Sequence, residues 1–141
     1  MDRVLKPFDI ISAPYVSLDG SIKVFADGEP QRGLFMVLAV DYDNITCAKI
    51  TSQDNEAYLA NSYCLTKAAN YFLRTDSYVQ FDKLHTLSVS SATYIGYADK
   101  PSRYPMYRIL SGYLTGLVQN LKRFCNPPRK KYVSPNRFTN D

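Results

Sequence analysis

The residues best placed to act together chemically lie at the outer ends of one strand pair. Arg32 opens the apolar run Gly33-Leu34-Phe35-Met36-Val37-Leu38-Ala39-Val40, which leads into the polar turn Asp41-Tyr42-Asp43-Asn44. A second β-rich run, Ile45-Thr46-Cys47-Ala48-Lys49-Ile50, follows and ends in Thr51 and Ser52. Two such runs around a short polar turn predict adjacent antiparallel strands. The start of one then lies beside the end of the other, so a guanidinium and two hydroxyls share one end of the sheet. A planar fork of donors beside hydroxyls suits a phosphate. The plainer reading of the same residues is a surface ion-pair arginine and a β-branched strand threonine.

A proton carrier would have to come from His85 or Asp82. His85 is the sole histidine, which excludes sites built on two histidines, and its ordinary pKa lies near neutrality. Its plainer reading is a packed, partly buried side chain, and that of Asp82 is a turn former beside Lys83. Cys47, Cys64 and Cys125 are odd in number and lack a C-x-x-C spacing, so neither a disulfide framework nor a zinc site is indicated. Nothing resembles a G-x-S-x-G elbow. No metal and no cofactor are expected.

The elements that must position these groups fit one domain. A chain of 141 residues buries roughly two-thirds of its unfolded surface. Apolar and charged contents of 45% and 21% describe an ordinary globular protein. No apolar run approaches the ~20 residues that span a bilayer, and the N-terminus lacks the apolar core of a signal peptide; a cytoplasmic protein is the expectation. The net charge of +4 is carried largely by Lys122, Arg123, Arg129, Lys130, Lys131 and Arg137, opposed there only by Asp141. A basic end suits nucleic acid or an acidic protein surface, or simply solvates a tail.

Phe8 to Ala13 reads as a short strand stopped by Pro14, and Asp19-Gly20 as a hairpin turn before the arm Ile22 to Phe25. After Ser52 the chain breaks at Gln53-Asp54-Asn55. Glu56 to Ala60 is one helical turn or an excursion, and Tyr63-Cys64-Leu65 an edge strand. Ser77 to Phe81 and Leu84 to Val89 read as two strands with a bend at Asp82-Lys83 between them. Ser90 to Gly96 reads as a turn closed by Gly96. From Arg103 to Phe124 a single long helix is predicted, with Ser102 as N-cap. Its apolar face is Tyr107, Leu110, Leu114, Leu117, Val118, Leu121 and Phe124, and Gly112 and Gly116 would let it approach the sheet closely. Short strands followed by one helix predict a mainly-β α+β domain, a small bent barrel of about six or seven strands.

In this order the blocks resemble the MazF/PemK/Kid toxin family. Lys6-Pro7-Phe8-Asp9-Ile10-Ile11 is similar to its opening strand, and Gln31-Arg32-Gly33 plus Leu34 to Val40 to its Arg-Pro and apolar strand. Ala48-Lys49-Ile50-Thr51-Ser52 resembles its strand ending in Thr-Ser. Leu73 to Val79 with Asp82-Lys83-Leu84-His85-Thr86-Leu87 resembles the segment that follows, and Ile95-Gly96 with the last helix completes the set. Gly33 departs from the proline after the arginine; Gln80 and His85 stand where members carry arginines.

The resemblance implies an SH3-like barrel over 1–125 with a long C-terminal helix, and leaves 126–141 as a basic flexible tail. It implies a homodimer, without a membrane, that cleaves single-stranded RNA metal-independently, and an antitoxin protein that occupies the RNA groove. Carried over, Arg32 stabilises charge on the phosphate, Thr51 donates to it, and Asp82 or His85 moves the proton. RNA contacts are expected from Ser52, Gln80, Lys122, Arg123, Arg129, Lys130 and Lys131. Tyr15 and Tyr42 would lie near the groove to stack bases, and Tyr94 and Tyr97 would help bury a dimer interface. The alternatives are a degenerate barrel that binds RNA or a protein partner, and a phage or plasmid accessory protein docking through its tail.

Overall fold

The computed structural model describes residues 4–14, 27–28, 31–53, 61–112 and 115–125. The expected turn at 18–21, the arm at 22–25, the excursion at 56–60, Tyr15, Leu114 and the tail at 126–141 lie outside the described residues. The strands are β1 (Asp9–Pro14), β2 (Arg32–Asp41), β3 (Asn44–Thr51), β4 (Ser62–Leu65), β5 (Ser77–Ser88) and β6 (Thr93–Tyr97). Helices α1 (Lys100–Ser111) and α2 (Thr115–Leu121) follow. The fold is α+β and mainly β: six strands, among the described residues, in one sheet ordered β4-β5-β3-β2-β1-β6. Every pairing is antiparallel.

The connection from β5 to β6 shows that this sheet is rolled. Ser88 ends β5 opposite Asn44, whereas Thr93 begins β6 opposite Ser12, which itself pairs with Leu34. On a flat sheet, four strand spacings and the offset along β2 would separate Ser88 from Thr93 by about 30 Å. The five residue steps between them reach about 18 Å at most. Bulges at Val37/Ala39, Ala48/Ile50 and Ile10/Ile11 supply the curvature. A 3₁₀ turn, Val89–Ser91, crosses the concave side, with the Val89 amide donating to the Asp43 carbonyl at 2.8 Å. The sheet is nevertheless open rather than a closed barrel, because β4 and β6 remain its two edges.

Burial on both faces explains the uninterrupted apolar run of β2. Met36 and Leu38 join Ile10, Ala48, Ile50, Val79 and Phe81 under the helices, while Phe35 and Val37 join Ile11, Ala13, Ile45, Cys47 and Leu87 on the concave side. Tyr107, Leu110, Val118 and Leu121 seat the helical face on the first cluster, as the 3.6-residue period predicts.

Five expectations need correction. The single long helix is two, because glycine is a poor helix former: Gly112 caps α1, its amide donating to Ile109 O. α1 also begins earlier, at Lys100, with Asp99 at the N-cap position. Gly112 is exposed, and an added Cβ would meet only the Ile109 carbonyl at 3.5 Å, so it does not draw the helix onto the sheet. The bend at Asp82-Lys83 is a bulge inside one strand, β5, since Ala48 pairs with Leu84 but Ile50 with Val79. Gly96 lies within strand β6 and does not close a turn.

Gly96 is required for a different reason, close approach. A Cβ there would sit 2.9 Å from Phe72 Cδ2 and 3.5 Å from Tyr71 Oη. Gly96→Ala must push the Phe72 ring outward, and we expect a loss of about 1–2 kcal/mol in urea denaturation.

Candidate functional site

Arg32 begins β2 opposite Pro14. Its guanidinium reaches across β1 to β6: Nε donates to Ser12 Oγ (3.0 Å), and Nη2 donates to Ser12 O (2.8 Å), Ser91 O (3.3 Å) and Thr93 Oγ1 (3.4 Å). The side chain therefore clasps β2, β1 and β6 at the end of the sheet. Nη1 has no acceptor among the described residues and points the remaining donor capacity of the fork elsewhere.

Thr51 ends β3 at the same sheet end, one step beyond the Leu34–Ile50 pair. Its hydroxyl accepts from the Gln53 amide at 3.2 Å, a local turn that places exposed Ser52 at the rim. Side chains alternate along a strand. Arg32 follows the parity of Leu34 and Met36 toward the helix-covered face, and Thr51 follows Cys47 and Lys49 toward the concave face. The two share an end but leave the sheet on opposite sides.

The concave face holds a cluster that sequence reading only half identified. His85 pairs with Cys47, and its ring meets Phe35 edge-on at 5.7 Å between centroids. Phe35 in turn pairs with Lys49. Burial pushes the His85 pKa below its ordinary 6.5, and the charges of Lys49 and Lys83 push it further the same way. The imidazole is thus neutral at pH 7 and available to accept a proton. Lys49 and Lys83 were not singled out in the sequence. The signal was the alternation Cys47, Lys49, Thr51, which puts a cation on the face of the threonine, and it is weak without knowing which face is concave.

The sign of the resulting pH dependence follows directly. Between the folded and unfolded pKa the unfolded chain binds the extra proton. The contribution of His85 is therefore fully present above pH 6.5 and is lost as pH falls through its lower folded value. Stability measured by denaturant at pH 5 should be lower than at pH 7.5, and His85→Gln should reduce that difference.

The remaining expected site residues are dispersed. Gln80 pairs with Ser62 of β4 and is half-buried. Asp82 is exposed in the β5 bulge beside Lys83. Lys122 and Arg123 lie on the 3₁₀ turn after α2, with the Arg123 guanidinium 4.9 Å from the Phe124 ring centroid. Tyr42, 94% exposed, caps the β2–β3 turn at the opposite end of that ladder from Arg32 and Thr51, which corrects its expected place in the groove. Tyr97 is half-exposed, with the Arg103 guanidinium 5.7 Å from its ring.

Nucleophilic thiol chemistry has little support. Burial pushes Cys47 and Cys125 up to about 12. The Cys47 thiol donates to the His85 carbonyl at 3.6 Å, and the Cys125 thiol to the Arg103 carbonyl at 3.8 Å. Among the described residues no three His, Cys, Asp or Glu side chains gather as a metal site would require. No helix among them is long and apolar enough to cross a membrane.

No protein-family model and no curated protein matches this chain. Its fold, however, is found among solved structures. One of them, described as "Crystal structure of Mtb toxin", superposes with a TM-score of 0.50 at 22% identity, over 58% of this chain and 92% of that one. The likeness is one of fold, and it covers nearly all of the smaller protein.

Proposed function

We propose that this chain is a toxin-like endoribonuclease of the MazF/PemK kind, cleaving single-stranded RNA by attack of the ribose 2′-hydroxyl on the adjacent phosphate. The observation that carries the reading is the pair of strand ends on a fold shared with a toxin: Arg32 at the start of β2 and Thr51-Ser52 at the end of β3. In this reading the proton of the 2′-hydroxyl goes to His85, whose lowered pKa keeps it unprotonated at pH 7. As the O2′–P bond forms the P–O5′ bond breaks, and the 5′-oxygen leaves as a hydroxyl on taking a proton from the imidazolium so formed or from water. Asp82 is the other acceptor on β5. The developing charge on the phosphate oxygens is met by the Thr51 hydroxyl proton, since the Thr51 oxygen only accepts from Gln53, and by Arg32 Nη1, which leaves the sheet on its other side and reaches the phosphate round its exposed end. The partners implied are single-stranded RNA, a second copy of the chain and an antitoxin protein.

Purified protein should cut single-stranded RNA in the presence of EDTA, because the nucleophile belongs to the substrate and the proton carrier is an imidazole. Products should end in a 2′,3′-cyclic phosphate, read by resistance to labelling until the ring is opened. An uncut substrate, or 3′-hydroxyl ends, would overturn the mechanism.

A second reading has its own support. Arg32 Nε and Nη2 are taken up by Ser12, Ser91 and Thr93, and Gln80 and His85 replace arginines of the resembled family. A barrel that has kept the fold, lost the chemistry and still binds RNA would look the same. RNA binding without cleavage would select it.

A further inference from the structure

We infer that the groove on the outer side of α1, built around Arg108, is a binding site for a small organic carboxylate, a monoanion with a compact apolar body. The site lies on residues outside the Arg32 and Thr51 strand ends and does not depend on the nucleic-acid reading.

Helical spacing builds the groove. Met106, Tyr107 and Leu110 turn one face of α1 into the core. Pro105, Arg108, Ile109 and Gly112, at positions i, i+3, i+4 and i+7, fall on the outer side, and with Ser111 they line a groove of about 410 Å³. The Arg108 guanidinium is incompletely satisfied. Its Nε is shielded from water and has no hydrogen-bond partner, the only such side-chain nitrogen or oxygen among the described residues. The guanidinium carbon lies 5.9 Å from the Tyr104 ring centroid, at the outer limit for a cation over an aromatic face. A cation in the last turn suits the helix dipole, and for a lysine that would be a full account. It leaves unexplained a shielded N–H without an acceptor, which carries the desolvation cost of a bond left unmade.

One negative charge and an apolar body are what this lining accepts. Arg108 is the only ionised group among the five. The Ser111 hydroxyl proton is already given to the Arg108 carbonyl at 2.8 Å, and the carbonyls of the last helical turn carry partial negative charge. A dianion would leave one charge unmet. A carboxylate matches the planar fork, its two oxygens taking Nε and one terminal nitrogen side by side. Nε reaches it when the guanidinium swings off the Tyr104 ring into the groove, and a stack at its distance limit yields readily. Pro105 and Ile109 give the rest of the ligand an apolar wall. Gly112 leaves the end of the groove open, since an added Cβ would meet only the Ile109 carbonyl. Size favours a small molecule over a protein. The volume falls within the ~300–1,000 Å³ of ligand pockets. The stretch from Pro105 to Gly112 is only about 10 Å long, too little surface for the ~800 Å² that a stable protein interface takes from each partner.

The test uses the full chain with benzoate as the probe, read by NMR at the Arg108 Nε–H group and at the Gly112 amide. Both resonances should move and saturate, with a Kd of about 1 mM, on the order expected of so small a ligand. Benzyl alcohol has the body without the charge; acetate and inorganic phosphate have charge without that body. Each should bind roughly tenfold more weakly. Arg108→Lys keeps the charge but not the fork, and should lose about tenfold in affinity at the Gly112 amide. Gly112→Leu should abolish binding with Arg108 in place; φ at this position is −73°, so a side chain there is unstrained. Should one variant fail to fold, the other decides. Failure of benzoate to saturate, or wild-type affinity in either variant, would overturn the site. An equal response to benzyl alcohol or to phosphate would overturn the carboxylate, leaving an apolar cleft or a bare cation. Tighter binding of a capped glutamyl peptide would overturn it too, assigning the groove to a protein partner. None of these outcomes bears on whether RNA is cut.

Discussion

Arg32→Ala should lower RNA cleavage by about 10²–10³, corresponding to roughly 2–4 kcal/mol of transition-state stabilisation, by analogy with removal of one oxyanion donor. The estimate assigns Arg32 Nη1 to the phosphate, since Nε and Nη2 already serve Ser12, Ser91 and Thr93. That clasp also makes the variant informative in a second way. Removing it loosens the joint between β2, β1 and β6, so the kinetic loss must be measured at a temperature where circular dichroism shows the fold intact. Arg32→Lys separates the effects: a lysine keeps the charge but cannot span both the clasp and the phosphate. If cleavage in Arg32→Lys returns close to wild type, the charge is what matters. If cleavage is unchanged in Arg32→Ala, the arginine is a clasp only and the phosphate role belongs elsewhere.

Asn70→Ala should cost about 2–4 kcal/mol of stability, the largest loss we expect from a polar substitution here. Asn70 is 1% exposed and ties the turn after β4 to the start of α1. Its Nδ2 donates to Thr66 O at 3.0 Å and to Asp99 Oδ1 at 2.9 Å, and its Oδ1 accepts the Asp99 amide at 3.0 Å. Ser102 Oγ donates to the same Asp99 oxygen at 2.8 Å, so the network fixes the first turn of the helix. An alanine leaves the Asp99 amide without its partner and takes a donor from the Asp99 carboxylate, each a penalty of about 1–3 kcal/mol, while Thr66 O keeps the backbone amide at position 70. Asn70→Asp is the sharper control. It sets two carboxylates side by side, so its extra destabilisation at pH 7 should recede in acid as one is protonated. Equal stability of Asn70→Ala and wild type in denaturant titration would mean that the turn is held by Leu73 and Phe72 alone.

Much of the fold was legible in one dimension because it rests on local pattern. The run Leu34 to Val40 and the run Ile45 to Ile50 became β2 and β3 because β-branched and apolar residues around a short polar turn have one good local solution. The edge strand at Tyr63 to Leu65 and the apolar face of Tyr107, Leu110, Val118 and Leu121 were legible for the same reason. The errors fell where local preference and packing disagree. Asp82 and Lys83 look like a bend, yet the ladder to β3 absorbs them as a bulge. Gly96 looks like a turn, yet Phe72 needs its missing side chain. Gly112 and Gly116 look like packing glycines, yet the exposed Gly112 ends α1.

The sequence by itself determined the mainly-β architecture, the pairing of β2 with β3, and the residue types able to meet a phosphate, since these follow from periodicity, turn chemistry and side-chain functional groups. Only the tertiary structure decided on which side of the sheet each group emerges. That Arg32 turns to β6 while Thr51 follows the parity of Cys47 and Lys49, and that His85 stands opposite Cys47, depends on the rolling of the sheet and on the β5 bulge. Strand parity is reset at each bulge, and a one-residue shift moves a side chain to the opposite face, so residue spacing alone does not give the site.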